Sequence, residues 1–173
     1  TTPVLPVRSL GMGTSEVTLI DLVSTFGVYP NGGIRVEPIA VQKIVDRDGN
    51  ILEARVQGAE HEVLSAETAS VMTSMLQSVL DMNKKTDRGL ARGTGYGARV
   101  SYGFRRPAAG KTGTTQNFAD AWFVGFTPHI VAGVWIGFDD PKVSLGNQKS
   151  GAVVALPVWA RFMKRAHEEL GLE

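Results

Sequence analysis

The sequence contains no cysteine. This excludes disulfides and any chemistry carried by a thiolate, and it is compatible with an exported protein. Histidine is scarce. His61, His129 and His167 are widely separated and none stands in a His-Glu-x-x-His or other metal-ligand spacing, so no metal site is expected. No apolar run approaches the roughly 18 residues that a membrane-spanning helix needs, and no stretch reads as a signal peptide. No block of like charge occurs: 18 basic residues stand against 17 acidic ones in 173. Composition therefore gives no reason to propose nucleic-acid binding. Internal repeats and low-complexity segments are missing as well. What remains is enough chain to bury the core of one modest domain.

Taken in order, Thr18 begins a predicted helix, with Asp21 three residues on as the partner in a capping box. Leu19, Leu22, Val23 and Phe26 share one face, and Asn31-Gly-Gly33 is expected to stop the helix. Ile39 to Val45 reads as a strand, Asp46 to Asn50 as a turn, and Ile51 to Ala54 as the return strand of a hairpin. Asp46 and Asp48 invite a metal or acid–base reading, but beside Gly49 they fit a plain turn. Ser65 is a good N-cap, with Glu67 near the positive helix end. Val71, Met72, Met75, Leu76, Val79 and Leu80 recur in pairs every four residues, the clearest helix in the chain, and the methionines read as core.

Asp81 to Gly103 is the least regular region. Gly89, Gly93, Gly95, Gly97 and Gly103 interrupt any helix, and Lys84, Lys85, Arg88, Arg92 and Arg99 make the stretch basic. It reads either as a mobile rim that meets an anionic polymer or as a solvated loop, and charge alone favours the loop. Pro141 to Gly151 is a polar loop. Pro157 suits a first helical position, and Val158, Trp159, Phe162, Met163 and Ala166 form the stripe of a C-terminal helix laid across a sheet and ending before Gly171.

The stretch Ala108-Ala-Gly-Lys-Thr-Gly-Thr-Thr115 organises the rest. Two near-continuous apolar runs of strand length follow, Asp120–Phe126 and Ile130–Gly137, joined by Thr127-Pro-His129. Alternation puts Thr112 and Thr114 on one strand face and Lys111 on the other, and Gly113 permits close approach. A lysine, hydroxyls and exposed backbone N–H groups suit a carboxylate and a carbonyl oxygen that becomes negative during reaction. An isolated Lys-Thr-Gly-Thr is also what an ordinary surface strand looks like; its context decides.

Gly13-Thr-Ser-Glu-Val-Thr18, Tyr29-Pro-Asn-Gly-Gly33, Arg92-Gly-Thr-Gly95, Ala109-Gly-Lys-Thr-Gly-Thr-Thr115, Asp120-Ala-Trp-Phe-Val-Gly-Phe-Thr-Pro128, Val134-Trp-Ile-Gly137 and Pro157-Val-Trp-Ala160 occur in that order. Together they resemble the C-terminal part of the transpeptidase domain of bifunctional (class A) penicillin-binding proteins. Lys-Thr-Gly is the third signature of that group, after Ser-x-x-Lys and Ser-Asp-Asn. The sequence departs from the pattern at the first two. No serine has lysine three positions later and no Ser-x-Asn occurs; Tyr29-Pro-Asn31 formally fits a variant of the second motif but reads as a turn. The resemblance thus implies that residues 1–173 are the C-terminal part of one transpeptidase domain, its nucleophile-bearing N-terminal part being absent. The opening Thr1-Thr-Pro3, without an initiator methionine or targeting segment, leads to the same expectation of a fragment.

The implied fold is α/β of the α+β kind: an antiparallel sheet with helices on both faces, as in penicillin-binding proteins and serine β-lactamases. The implied activity is peptidoglycan D,D-transpeptidation through a serine acyl-enzyme, with β-lactams acylating the same serine. Carried onto this chain, Lys111 supplies positive charge and polarises the proton relay, and Thr112 and Thr114 hold the substrate carboxylate. The Thr114 backbone N–H forms half of an oxyanion hole, Gly113 allows close approach, and Thr115 completes the substrate strand. Lys111, Thr112 and Thr114 are expected on an edge strand facing a groove. No cofactor is needed. The implied partners are a complementary N-terminal polypeptide carrying the serine, peptidoglycan stem peptides and β-lactams. The implied location is the outer face of the bacterial cytoplasmic membrane or the periplasm, with a membrane anchor upstream. Two other readings stay open. One is a non-catalytic binding module of the same fold. The other is a nucleotide-binding enzyme suggested by Gly110-Lys-Thr112, although Arg105 stands where a phosphate-binding loop needs glycine and no helix is expected to follow.

Overall fold

The computed structural model of the protein describes residues 4, 6–55, 58–81, 84–86 and 89–172. Thr1 and Arg88, used above, lie outside the described residues. Helix α1 spans Leu19–Gly27. The Thr18 hydroxyl accepts the Asp21 N–H at 3.2 Å and donates to the Asp21 carboxylate at 2.9 Å, so the predicted cap forms. The helix ends earlier than Asn31-Gly-Gly33, because Pro30 has no N–H to offer the Phe26 carbonyl and restricts Tyr29 before it. Val28 to Gly33 fold instead into successive turns, closed by the Gly33 N–H on Val28 O at 2.9 Å.

Strand β1 (Ile34–Val36) pairs with the later β4 (Glu60–Glu62), a ribbon too short to show periodicity. Between them lies the expected hairpin of β2 (Lys43–Val45) and β3 (Ile51–Ala54). The first strand is shorter than Ile39–Val45; among the described residues one further bond, from the Arg55 N–H to Gln42 O at 2.8 Å, continues the ladder beyond Lys43. Asp46 is a turn residue. Its carboxylate accepts the backbone N–H groups of Asp48 and Asn50 and the Asn50 side-chain amide, at 2.8–2.9 Å.

Helix α2 (Ala66–Gln77) is capped by the Ser65 hydroxyl on the Thr68 N–H at 3.3 Å and continues as a 3-10 turn over Ser78–Leu80. Ala69, Leu76 and Leu80 are its buried stripe, whereas Val71 and Met75 are about 60% exposed. The irregular region holds more order than its glycines suggest: β5 (Lys84–Thr86) and β6 (Gly89–Ala91) form a small hairpin, and α3 (Gly97–Val100) is a single turn.

The main sheet is antiparallel, in the order β7 (Ala109–Thr114), β8 (Asp120–Phe126), β9 (Val131–Gly137). Its register sets Thr112 opposite Phe123 and Trp122 opposite Trp135. Alternation therefore places Thr112, Thr114, Phe123 and Val134 on one face, and Lys111, Trp122, Val124, Phe126 and Gly133 on the other. Helix α4 (Leu156–Glu169), entered through a π-helical turn at Gly151–Ala155 that shortens the predicted loop, covers the first face. There Phe123, Phe104, Leu80 and Met163 surround Trp159, whose indole N–H donates to Ala132 O at 3.1 Å and Gly125 O at 3.3 Å. The buried α4 stripe is Leu156, Trp159, Ala160, Met163 and His167, whereas Val158 and Phe162 are exposed. On the second face α1 packs against β9, and Leu76 of α2 meets Ala109 and Phe126. The expected sheet with helices on both faces is present. No helix among the described residues is long and apolar enough to cross a membrane.

Candidate active site

Strand β7 pairs with β8 alone, so its other side is an open edge among the described residues. The Thr115 N–H donates across the ladder to Asp120 O at 3.1 Å. Alternation then turns the N–H and C=O of Thr114 and Thr112 toward the open edge. In keeping with this, the Lys111 ammonium folds back to donate to Thr112 O at 2.8 Å. Lys111 and Thr114 are exposed and Thr112 and Gly113 half-buried, so none of the four lies in the core.

Each hydroxyl of this strand has a partner. The Gly151 N–H donates to Thr114 Oγ1 at 3.0 Å. Since that lone pair is taken by an obligate donor, the Thr114 proton remains available to an incoming acceptor. Thr112 Oγ1 lies 2.9 Å from Thr94 Oγ1. Thr115 Oγ1 donates to the Asp120 carboxylate at 3.1 Å and accepts the Asp120 N–H at 2.8 Å. The other Asp120 oxygen takes the Trp135 indole N–H at 2.8 Å, so one aspartate fixes the end of β7 to β9. At Gly113 the close approach is made by Trp122: an added Cβ would stand 3.0 Å from the Trp122 Cβ.

The groove expected beside the strand has one wall here, the open edge itself. Two surface concavities lie elsewhere. One, of about 370 Å3, sits between α1 and the β8–β9 turn; the other, of about 330 Å3, lies beside α2 and the start of β7. Residues 111–115 line neither. Gly110-Lys-Thr112 belongs to a strand and not to a turn opening a helix, which is not how a phosphate-binding loop is built. Thr94, Asp120 and Gly151 carry the site's internal contacts and were given no role from sequence. Thr94 and Asp120 stood inside quoted motifs, but nothing in a linear pattern shows which strand residue they reach.

A family model described as the penicillin binding protein transpeptidase domain matches residues 6–164. The chain belongs to the penicillin-binding protein transpeptidase family. Penicillin-binding protein 1A of Aquifex aeolicus is 44% identical over 159 residues, covering 92% of this chain and 20% of that protein. Penicillin-binding protein 1A of Neisseria gonorrhoeae is 37% identical over 162 residues, covering 91% and 19%. The chain thus spans about a fifth of the length of the curated relatives it matches. Among solved structures, penicillin-binding protein 1A from Haemophilus influenzae superposes with a TM-score of 0.84 at 26% identity, over 94% of this chain and 28% of that one. PonA1 from Mycobacterium tuberculosis shares the fold with a TM-score of 0.75 at 23% identity, over 94% and 42%.

Proposed function

We propose that the chain supplies the Lys-Thr-Gly-Thr strand of a peptidoglycan D,D-transpeptidase whose nucleophilic serine lies on a complementary N-terminal polypeptide. The observation that carries this reading is the open edge of β7, where the Thr114 N–H, two threonine hydroxyls and a lysine converge. An extended peptide can add to such an edge as a further strand. The serine oxygen adds to the carbonyl of the penultimate D-alanine, and the developing oxyanion is met by the Thr114 N–H and by the serine's own N–H. The C–N bond then breaks and D-alanine leaves with the serine's proton, giving an acyl-enzyme that the amine of a second stem peptide attacks. Lys111 raises the local positive potential, and the Thr112 and Thr114 hydroxyls donate to the terminal carboxylate. Thr115, with its hydroxyl held by Asp120, closes the substrate strand. Removing one oxyanion donor of this kind costs roughly 3–4 kcal/mol of transition-state stabilisation. β-Lactams enter by the same acylation. The reaction belongs at the outer face of the bacterial cytoplasmic membrane.

Labelling with a fluorescent penicillin tests this. The 173-residue chain by itself is expected to form no covalent adduct. Joined to its serine-bearing partner it is expected to label, and Lys111→Ala there should slow labelling by about 100-fold, the scale of losing a charged transition-state contact. Labelling of the lone chain at one of its own serines would overturn the reading.

A further inference from the structure

The Arg92-Gly-Thr-Gly95 segment, which the proposed function leaves unused, ends on the proposed carboxylate site. Its geometry is tightly determined. The Gly93 N–H donates to Asp81 O at 3.0 Å and the Gly95 N–H to Val79 O at 2.8 Å, which presses the segment onto the 3-10 turn after α2. A Cβ at Gly93 would stand 2.1 Å from Val79 O, and one at Gly95 would stand 2.9 Å from Leu80 Cδ2 and 3.3 Å from Phe123 Cε2. Only glycine fits at 93, where the clash is with backbone, and a Cβ at 95 would have to displace the end of the Leu80 side chain. Between them Thr94 is exposed, with its hydroxyl 2.9 Å from Thr112 Oγ1, and the Arg92 guanidinium lies over the Tyr96 ring at 5.3 Å.

We infer that Thr94 is a positioning residue: its hydroxyl, held by the two flanking glycines, directs the Thr112 proton toward the substrate carboxylate. The inference rests on the function proposed above. A threonine hydroxyl has one proton, and a carboxylate only accepts. If Thr112 donated to Thr94, it would have nothing to give the substrate. With Thr94 donating to Thr112 Oγ1 and Thr112 donating onward, all three oxygens are satisfied and each bond polarises the next. Thr114 already has this arrangement, its oxygen fixed by the Gly151 N–H. Thr94 gives Thr112 the equivalent donor, so both threonines present protons to one anion.

The test uses the chain joined to its serine-bearing partner. Acylation rate constants are measured with a fluorescent penicillin as the free acid and as its methyl ester, for Thr94→Val, Thr94→Ser, Thr112→Val and the double variant Thr94→Val/Thr112→Val. Thr94→Val is expected to slow the acid about tenfold, the loss of one ordinary hydrogen bond, and to leave the ester rate unchanged. Thr94→Ser should restore the acid rate, and the double variant should be no slower than Thr112→Val, since contacting residues that act as a unit do not add. Equal losses on acid and ester, or additive losses in the double variant, would overturn the inference. A Thr112 effect on the acid-to-ester preference without a Thr94 effect overturns this inference alone. If Thr112→Val leaves that preference intact, the carboxylate role of Thr112 falls and this inference with it. Should Thr94→Val prove unstable, Thr94→Ala carries the same comparison.

Discussion

Gly151 stands where any side chain would strike two strands at once. Its Cβ would lie 2.2 Å from Trp122 O and 2.4 Å from Gly113 O, both backbone atoms that cannot swing away. Gly151→Ala must therefore lift this segment from the sheet and break its bond to Thr114. In the complex with the serine-bearing partner, a loss of roughly 1–3 kcal/mol is expected in urea unfolding, with slower penicillin labelling alongside. Gly11→Ala, which meets nothing within 4 Å, should stay within about 0.5 kcal/mol of the parent. Contacts of this kind are invisible in a sequence, where Gly151 reads only as the end of a polar loop. The same holds for His167. Nothing in the sequence pattern shows what it does. It is 1% exposed, with Nδ1 donating to Met163 O at 2.9 Å and Nε2 3.0 Å from the Thr127 hydroxyl, tying the last turn of α4 to the β8–β9 turn.

Elements were legible where their signal was long. Asp120–Phe126 and Ile130–Gly137 are nearly continuous apolar runs, and both are strands within a residue of the expected limits. The Thr18 and Ser65 caps were readable because a cap is a local bond between a hydroxyl and an N–H three residues on. Ribbons of three residues, such as β1 with β4 and β5 with β6, carry too little pattern to read. The helical stripes gave the right helices but the wrong edges. Periodicity finds the apolar face of α4, while which part of it is covered depends on where Phe104, Phe123 and His167 sit in space. Ser65 offers a measurement at this scale. Ser65→Ala leaves the Thr68 N–H without its acceptor and should cost about 1 kcal/mol. First-turn amides of α2 should then exchange about fivefold faster, and Ser65→Asp should restore them. Glu67 adds to this cap. A hydrogen bond from its own backbone N–H, then one from Ser65, holds its carboxyl below the usual range. A depressed carboxyl stabilises above its unfolded value, so this support is lost as pH falls through the acidic range.

At the scale of the molecule, the sheet is open on both sides among the described residues. Strand β7 turns polar groups outward, but β9 offers Val131, Val134, Trp135 and Ile136 along an unpaired edge among the described residues. Val71 and Met75 on α2 and Val158 and Phe162 on α4 add exposed apolar surface. Unpaired edges and contiguous apolar patches invite association. Expressed alone, residues 1–173 are expected to elute as aggregate in size-exclusion chromatography and to melt without a cooperative transition. Co-expression with the proposed serine-bearing polypeptide should give a non-covalent complex with a cooperative melt. A soluble monomer melting cooperatively by itself would favour the independent binding module of the same fold.

The three tryptophans divide this molecule optically. Trp159 is fully enclosed between α4 and the sheet, whereas Trp135 is 38% exposed beside the unpaired edge, its ring centre 6.1 Å from that of Trp122 and its indole N–H on Asp120. Emission from Trp159 reports whether the core has formed, and acrylamide reaches it only when that core opens. Emission from Trp135 reports the environment of β9 and, through the carboxylate it shares with Thr115, the far end of the Lys-Thr-Gly-Thr strand. A chain that keeps Trp159 shielded while a partner shields Trp135 has gained a neighbour at its edge without refolding its interior, and a single quenching titration tells the two events apart.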